Sequence, residues 1–225
     1  MLKLVLFDVD GTLIRTGGAG VHAFTRTGAA EFHVPDGMRQ MQFAGRTDTS
    51  LVREFFQRHG IAATPENFRR FFDRYVFWLD HLLPQHPGAV CPGVRELLTG
   101  LQALPQPPLL GLQTGNIRLG AEIKLRHFGL WGWFEVGGFG DDSELRGELT
   151  RLAVERAARR LGHRLAPEEV VVVGDTPHDV DCARAVGARV LAVATGGATR
   201  EQLAARAPDW LVDDLTRIRA ADLAA

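Results

Sequence analysis

The chain has 225 residues, 45% of them hydrophobic and 24% charged, a composition that suits one large globular domain or a core domain carrying a smaller insert. Its formal net charge of -1 gives no reason to expect nucleic acid or an anionic membrane as a partner. No stretch approaches the ~20 apolar residues of a membrane span, and we expect no secretory signal. The two cysteines, Cys91 and Cys182, lie far apart and are not spaced as a metal pair, so a reduced, cytoplasmic protein is expected.

A short apolar run at residues 4–7 ends abruptly in the acids Asp8 and Asp10 and the glycine that follows them. A run of this length, rich in Val and Leu, is typical of a buried parallel strand. Residues two apart on a strand point to the same side, so both carboxylates should project from its carboxyl end. Close carboxylates repel unless a cation or a proton intervenes, so the pair predicts a divalent metal, a shared proton, or both. A plain turn accounts for one of these acids but poorly for two.

Residues 15–87 are interpreted as a helical cap domain inserted after the first strand. The glycine cluster at 16–20 lacks the spacing of a phosphate-binding P-loop and is better interpreted as a flexible hinge. One helix is predicted at 22–32, a second is capped by residues 47–50, and a third begins at Pro65. The third helix carries aromatic residues at helical spacing, which is typical of the core of a small bundle.

The rest of the chain alternates strands with helices. This alternation predicts an α/β fold, a doubly wound parallel sheet of the Rossmann-like kind, built from residues 1–14 and 88–225. Further strands are predicted at 109–113, 170–174 and 189–193, and helices at 94–104, around 123–128, and at 146–161, 180–186 and 200–206.

Three predicted strands end in groups that can carry chemistry: Asp8 with Asp10, Thr114 with Asn116, and Asp175 followed by Asp179. Parallel strands bring their carboxyl ends to one edge of the sheet, so these groups should converge there. A carboxylate can attack phosphorus, and a second acid can move the protons. A hydroxyl, backbone amides and a cation can hold the phosphoryl oxygens, while Mg²⁺ offsets their charge. The set therefore favours phosphoryl transfer without a nucleotide.

With these motifs the sequence resembles the haloacid dehalogenase superfamily and, within it, the phosphoglycolate-phosphatase-like phosphatases with a helical cap. The matching segments are Asp8-Val9-Asp10-Gly11-Thr12 for the first motif, Thr114-Gly115-Asn116 for the second, and Gly174-Asp175-Thr176-Pro177-His178-Asp179-Val180 for the fourth. The resemblance covers the whole chain. It implies a Mg²⁺-dependent phosphatase that acts on a small phosphorylated metabolite, phosphoglycolate-like or a sugar phosphate, through an aspartyl-phosphate.

Residue by residue, the resemblance implies Asp8 as the nucleophile and Asp10 as the general acid and base. Mg²⁺ would lie at Asp8, the main-chain carbonyl of Asp10, and Asp175. Asp179 would support the metal shell through water, and it can also cap the following helix. Thr114 would bind the phosphoryl group. The remaining substrate contacts are expected from Gly11, Thr12, Gly115, Asn116, Arg46 and Lys124.

The third motif departs from the family pattern, which places a lysine ahead of the helix that precedes the fourth motif. Here residues 140–148 contain no lysine. Arg146 is the natural substitute, because a guanidinium can bridge the nucleophile and a phosphoryl oxygen, although Arg and Lys are not interchangeable at such sites. Lys124 is the competing candidate. We favour Arg146, for which the plain alternative is a solvated charge at a helix start.

The cap is expected to select the substrate. Arg46, in a polar break between cap helices, can meet a second anionic group, or Thr47 and Asp48 can simply cap a helix there and leave Arg46 solvated. His22 is a weaker cap-side candidate. The alternatives to a phosphatase are a phosphomutase on the same scaffold, a dehalogenase, and a non-catalytic binding module. Asp10 argues against the dehalogenase, and only the altered third motif supports the binding module. Monomer and homodimer both stay open.

Overall fold

The computed structural model describes residues 1–225 and contains a six-stranded sheet and a two-stranded one. The strands are β1 (Leu4–Phe7), β2 (Ile14–Arg15), β3 (Ala89–Val90), β4 (Leu109–Gln113), β5 (Val136–Gly138), β6 (Val170–Gly174), β7 (Arg189–Val193) and β8 (Trp210–Val212). The large sheet has the order β5-β4-β1-β6-β7-β8, and every pairing in it is parallel. The chain therefore builds outward from β1 first on one side and then on the other, which confirms the predicted doubly wound sheet.

The helices are α1 (Ala19–Phe32), α2 (Asp48–Arg58), α3 (Pro65–Leu82), α4 (Val94–Gln102), α5 (Arg118–His127), α6 (Arg146–Leu161), α7 (Pro177–Ala185), α8 (Arg200–Ala204) and α9 (Ala220–Ala224). Helices cover both faces of the large sheet. Along β1, Val5 and Phe7 pack into the core formed with α4, α5 and α9, whereas Leu4 and Leu6 pack into the core formed with α6 and α7. Burial on both faces explains why β1 has a continuous apolar run instead of an alternating one.

A third hydrophobic cluster lies within the helical segment formed by α1, α2 and α3. Its largest members are aromatic: Phe24, Phe55, Phe56, Phe71 and Tyr75, all buried. The predicted helices are therefore present, and the aromatic spacing of α3 does form a core. The cap boundaries at residues 15 and 87 stay a prediction, and the structure adds that Arg15 belongs to β2, which pairs with β3 where the chain returns.

Three local features differ from the predictions. α1 begins three residues earlier than predicted, inside the glycine cluster, because Gly18 adopts a left-handed conformation (φ 92°) that starts the helix. The pairing of β2 with β3 was not predicted, since two-residue strands carry no periodicity. The last helix, α9, was missed for the same reason of length. No helix of the chain combines the length and the apolar character needed to cross a membrane.

The amino end of α2 docks on the loop that follows β4. The backbone N–H of Asp48 donates to the Gly115 carbonyl (2.7 Å), and its carboxylate accepts from the Ile117 N–H (2.9 Å). A Cβ at position 115 would lie 2.0 Å from the Arg46 carbonyl oxygen, so only glycine permits this approach. Thr47 caps α2 by accepting from the Ser50 N–H. The docking therefore buries the carboxylate of Asp48 between the helical segment and the sheet.

α2 also contacts the loop that leads into α6. Arg53 forms a bidentate ion pair with Glu144, with Nε–Oε2 at 2.9 Å and Nη2–Oε1 at 2.5 Å. The Thr49 hydroxyl donates to the Gly140 carbonyl at 2.5 Å. The position of the helical segment and the start of α6 are consequently linked through one loop.

We expect Phe71→Ala to lower the free energy of unfolding by about 3–5 kcal/mol, because it opens a cavity in the helical cluster. Phe77→Ala on the same helix removes a side chain that is 54% exposed and should change stability by less than about 0.5 kcal/mol. Urea unfolding of both variants measures the difference. Equal losses would contradict the assignment of this cluster as a core.

The stability of the chain should also depend on pH through Asp48. Burial raises the pKa of Asp48 to about 7 from 3.8, and Lys124 only partly offsets this. The neutral acid is thus favoured in the folded chain, so this contribution is full below pH 3.8 and is lost as the pH rises through 7. Asp48→Asn keeps an acceptor for the Ile117 N–H without the charge, and its stability relative to the parent should increase by roughly 1–4 kcal/mol between pH 4 and pH 8.

Urea unfolding at several pH values tests this expectation, with Asp48→Ala as the control that lacks the acceptor. Asp48→Ala should be less stable than Asp48→Asn at every pH. A stability difference between Asp48→Asn and the parent that does not change with pH would show that Asp48 is ionised in the folded chain.

Candidate active site

Three adjacent central strands place their following residues at one edge of the sheet, as predicted. Asp8 follows β1, Thr114 follows β4, and Asp175 follows β6. A cavity of about 590 Å³ opens there between the sheet edge and the helical segment, which contributes Phe24 and Leu51 to its wall. This volume lies in the range of sites for small molecules. The motif residues that are distant in sequence therefore share one enclosed space.

Asp8, Asp175 and Asp179 form a buried acidic cluster, in which one oxygen of each lies within 4.8 Å of the others. Burial raises the pKa of Asp8 to about 7, and the neighbouring carboxylates add to this while Arg146 partly offsets it. Burial likewise raises the pKa of Asp175 well above its usual value, with Asp8 and Asp179 contributing. The cluster thus holds more negative charge than its protein surroundings compensate.

Asp179 is saturated by the protein. Its Oδ1 accepts from Gln113 Nε2 and Arg146 Nη2, both at 2.7 Å. Its Oδ2 accepts from the N–H and the hydroxyl of Thr176 at 2.9 and 2.7 Å. A carboxylate has about four lone-pair sites, and these four bonds occupy them. Burial alone would raise the pKa of Asp179, but Arg146 and these hydrogen bonds hold it below its usual value.

The donor set fits a hard divalent cation. Three buried carboxylates face one guanidinium, which leaves an excess of two negative charges, and all available ligand atoms are oxygens. Thr12 donates to Asp175 Oδ1 at 2.8 Å, which orients that carboxylate. Asp8 and Asp175 would hold Mg²⁺ directly. Asp179 would support the site without binding the ion itself, because its oxygens already accept four hydrogen bonds. The ion would supply charge neutralisation and polarise a bound oxygen.

Arg146 is buried, not solvated: its side chain is 10% exposed. Nη2 lies 3.1 Å from Asp8 Oδ1 and 2.7 Å from Asp179 Oδ1. Burial would lower the pKa of Arg146, but Asp179 and Asp8 together raise it far above its usual range. Nη1 makes no hydrogen bond within the chain, and the residue lines the cavity, so part of the guanidinium is available to a ligand.

Lys124 is attached to the other acid of the first motif. Its Nζ donates to Asp10 Oδ2 and Asn116 Oδ1, both at 2.6 Å, and the residue is only 4% exposed. Asn116 Nδ2 donates to the same Asp10 oxygen at 2.7 Å. Asp10 Oδ1 makes no hydrogen bond within the chain, and 41% of the Asp10 side chain is exposed. Lys124 and Asn116 therefore fix Asp10 while leaving one oxygen open to the cavity.

The hydroxyl of Thr114 accepts hydrogen bonds within the chain but donates none. Its Oγ1 accepts from the Asn116 N–H at 3.2 Å and from Asn116 Nδ2 at 2.9 Å. No acceptor for the Thr114 hydroxyl lies within hydrogen-bond distance in the chain, and the residue lines the cavity. The group is thus set to donate to an oxygen of a ligand.

Gly11 and Thr12, two predicted substrate contacts of the first motif, differ in their position relative to the cavity. Gly11 lines the cavity, and its left-handed backbone (φ 92°) lets it approach Asp175 where a Cβ would lie 2.5 Å from an oxygen. The side chain of Thr12 does not reach the cavity, because it is fully buried and its hydroxyl is used on Asp175. The Thr12 hydroxyl is therefore placed to orient Asp175, and a contact of this residue with the substrate stays a prediction.

Gly115, in the loop after β4, and Arg46, on the cap side, both line the cavity, and their contact with a substrate stays a prediction. Arg46 is not simply solvated: it forms an ion pair with Glu54 and donates to the Ser50 carbonyl at 3.2 Å. His22 lies outside the cavity, with Nδ1 at 2.6 Å from Nε2 of His86.

Sequence reasoning missed several residues that support the site. Gln113 is the last residue of β4, and it links the hydroxyl of Thr150 (3.0 Å) to Asp179. A glutamine that ends an apolar strand is a usable signal, because a buried amide needs partners. Thr176 donates two hydrogen bonds to Asp179. Asp48 was predicted only to cap a helix. Nothing in the local sequence pairs Asp48 with the loop after β4, since that contact is tertiary.

Comparisons with known proteins establish the family and the fold of the chain. Residues 2–187 match the family model of the haloacid dehalogenase-like hydrolases. The structure resembles the crystal structure of CbbY from Rhodobacter sphaeroides in complex with phosphate, with a TM-score of 0.77, 23% identity and full coverage of both chains. At this identity the likeness shows the fold.

Two relatives by sequence are named as phosphatases. The chain is 30% identical to the probable phosphatase IndB of Dickeya dadantii, over 97% of this chain and 92% of the relative. It is 30% identical to the phosphoglycolate phosphatase of Synechococcus elongatus, over 94% and 93%. The predicted family and enzyme class are confirmed: the chain belongs to the haloacid dehalogenase-like hydrolases and is an enzyme of their phosphatase type.

Proposed function

We propose that this protein is a Mg²⁺-dependent phosphatase that hydrolyses a small phosphorylated metabolite through an aspartyl-phosphate on Asp8. The observation that carries the proposal is the arrangement of two acids with different surroundings. Asp8 lies in the metal-type cluster beside Arg146, whereas Asp10 is held outside that cluster by Lys124 and Asn116. Two carboxylates in different environments suit two roles, one nucleophilic and one in proton transfer.

In the first half-reaction, a carboxylate oxygen of Asp8 forms a bond to phosphorus and the bond from phosphorus to the ester oxygen breaks. Asp10 gives its proton to the departing oxygen, so the alcohol leaves neutral. Arg146 Nη1 and the Thr114 hydroxyl, neither of which donates to an acceptor in the chain, are placed to donate to the phosphoryl oxygens. Asp8 and Asp175 would hold Mg²⁺, which would offset the charge that Asp8 and the phosphoryl group bring together.

In the second half-reaction, Asp10 takes a proton from a water molecule whose oxygen attacks the phosphorus of the aspartyl-phosphate. The bond from phosphorus to Asp8 breaks, which releases inorganic phosphate and restores the Asp8 carboxylate. Asp10 ends protonated, ready for the next leaving group. Asp10 Oδ2 is anchored by Lys124 and Asn116, so the free Oδ1 serves both proton transfers from one position.

A small substrate is supported by the cavity of about 590 Å³ between the sheet edge and the helical segment. The relative from Synechococcus elongatus is named for phosphoglycolate, so phosphoglycolate and sugar phosphates are the compounds to test first. Arg46 lines the cavity, which supports its predicted role as a cap-side contact. Its guanidinium would bind the substrate after its ion pair with Glu54 opens.

We expect inorganic phosphate to be released from p-nitrophenyl phosphate or a panel of metabolite phosphates only when Mg²⁺ is present. Asp8→Asn should lower kcat by at least about 10³-fold, because an amide does not attack phosphorus. Asp213→Asn is the matched control, since it removes an exposed carboxylate whose only ion pair is with Arg200. A phosphorylated substrate isomer in place of free phosphate would indicate a mutase, and full activity of Asp8→Asn would reject the nucleophile.

Arg146 and Lys124 should have separable effects. Arg146→Ala should lower kcat by about 10²–10³-fold, because it removes the cation next to Asp8 and the phosphoryl group. Lys124→Ala should lower kcat much less, because Asn116 still holds Asp10. Guanidinium chloride at millimolar concentration should partly restore Arg146→Ala and leave Lys124→Ala unchanged.

The kinetics are interpretable only for folded variants, so circular dichroism accompanies them, and Arg146→Lys serves as the variant that keeps the charge. If Lys124→Ala were the more damaged protein, or if guanidinium restored neither, the assignment of Arg146 to the third motif would be rejected.

A further inference from the structure

Four cationic side chains line the cavity, and three of them are paired with carboxylates of the chain. Arg46 pairs with Glu54, Lys124 with Asp10, and Arg146 with Asp8 and Asp179. The fourth, Arg15, has no carboxylate within ion-pair distance. It is therefore the one positive charge in the cavity wall that no acid of the chain neutralises.

Arg15 is nevertheless held in a defined orientation. Its Nε donates to the Thr195 carbonyl at 3.0 Å, and Nη2 donates to the same oxygen. The Thr195 hydroxyl in turn donates to the Gly11 carbonyl at 2.5 Å, so the anchor is tied to the first motif. Nη1 makes no hydrogen bond within the chain, which leaves the end of the guanidinium formed by Nη1 and Nη2 for another acceptor.

The segment that anchors Arg15 is adjacent to the acidic cluster. The residue after Thr195 is Gly196, and a Cβ there would lie 1.6 Å from Asp175 Oδ2. The segment whose carbonyl anchors Arg15 thus packs directly on a carboxylate of the proposed metal site. Lys124, by contrast, lies on the side of the cavity formed by Asp10 and Asn116.

From these contacts we infer that Arg15 binds a second anionic group of the substrate, a carboxylate or a further phosphate, beyond the phosphoryl group that is transferred. This inference rests on the proposed phosphatase function and deepens it by naming a substrate class. An oriented guanidinium with one free edge matches the two oxygens of a carboxylate or phosphate. A substrate without such a group would leave the free edge of the exposed Arg15 guanidinium to solvent.

A matched pair of ligands tests the inference. Phosphoglycolate and 2-hydroxyethyl phosphate differ only by a carboxylate in place of a hydroxymethyl group, and glucose 1,6-bisphosphate against glucose 6-phosphate supplies the arm with a second phosphate. Binding is measured by calorimetry with Mg²⁺ on the Asp8→Asn protein, which prevents turnover. Arg15→Gln is then added to that protein, with Arg95→Gln as the control. Arg95 is also an exposed arginine that donates to a carbonyl, that of Phe128 (2.6 Å), but it lies outside the cavity.

In at least one pair, the Asp8→Asn protein should bind the compound with the second anionic group about 10- to 100-fold more tightly than the matched compound without it. Arg15→Gln should remove most of that ratio, Arg15→Lys should keep part of it, and Arg95→Gln should leave it unchanged. The arm that shows the ratio identifies the anion. Equal affinity within both pairs, or a ratio that survives Arg15→Gln, would overturn the inference and leave Arg15 as an anchor for the Thr195 loop.

Turnover is measured separately on the protein with Asp8 intact. Absence of phosphate release from every compound would reject the proposed function, while the binding ratios would still show whether Arg15 recognises an anion. Phosphate release with no discrimination by Arg15 would reject the inference and leave the proposed function in place.

Discussion

The site depends on one electrostatic constraint: three buried carboxylates share a single buried guanidinium. Arg146 contacts Asp8 and Asp179 through the same nitrogen, so removing it would leave both acids without their cation. Burial, with the neighbouring carboxylates, raises the pKa of Asp8 to about 7, and the excess of carboxylates over cations is the reason the cluster suits a divalent ion. Stability and chemistry are thus opposed here, since the buried charge that disfavours the folded chain is the charge that would bind a metal.

The helical segment is part of the same arrangement. Asp48 docks on the loop after β4, and Arg53 docks on the loop that positions Arg146. Gly115 and Gly140 permit these approaches, because a Cβ at position 140 would lie 2.0 Å from the Gly115 carbonyl oxygen. The loops that carry Thr114 and Arg146 are therefore packed on each other and under α2. Any opening of the helical segment must release contacts to both loops at once.

The fold and the meeting of the motif residues at one sheet edge could be predicted from the sequence, and the reason is topological. Asp8, Thr114 and Asp175 each end a buried strand, and parallel strands with central positions must bring those ends together. The hydrogen-bond assignments could not be predicted in the same way. Whether Thr12 faces a ligand or Asp175 depends on side-chain rotation after β1, and the partners of Gln113 come from α6 and α7, which are distant in sequence. Such contacts leave no periodic pattern.

The surroundings of Arg146 support its proposed role in place of the family lysine. Asp179 has its four acceptor sites occupied, two of them by neutral donors fixed in Gln113 and the Thr176 backbone, so it is a rigid anchor. A lysine there would present one ammonium to both acids and the phosphoryl group. The guanidinium instead uses Nη2 for the two carboxylates and keeps Nη1 for a ligand, which separates holding the site together from binding the substrate. An arginine with one nitrogen shared by two carboxylates and another left free has the donors that the proposed third-motif role requires, so the departure from the family motif is consistent with an active enzyme.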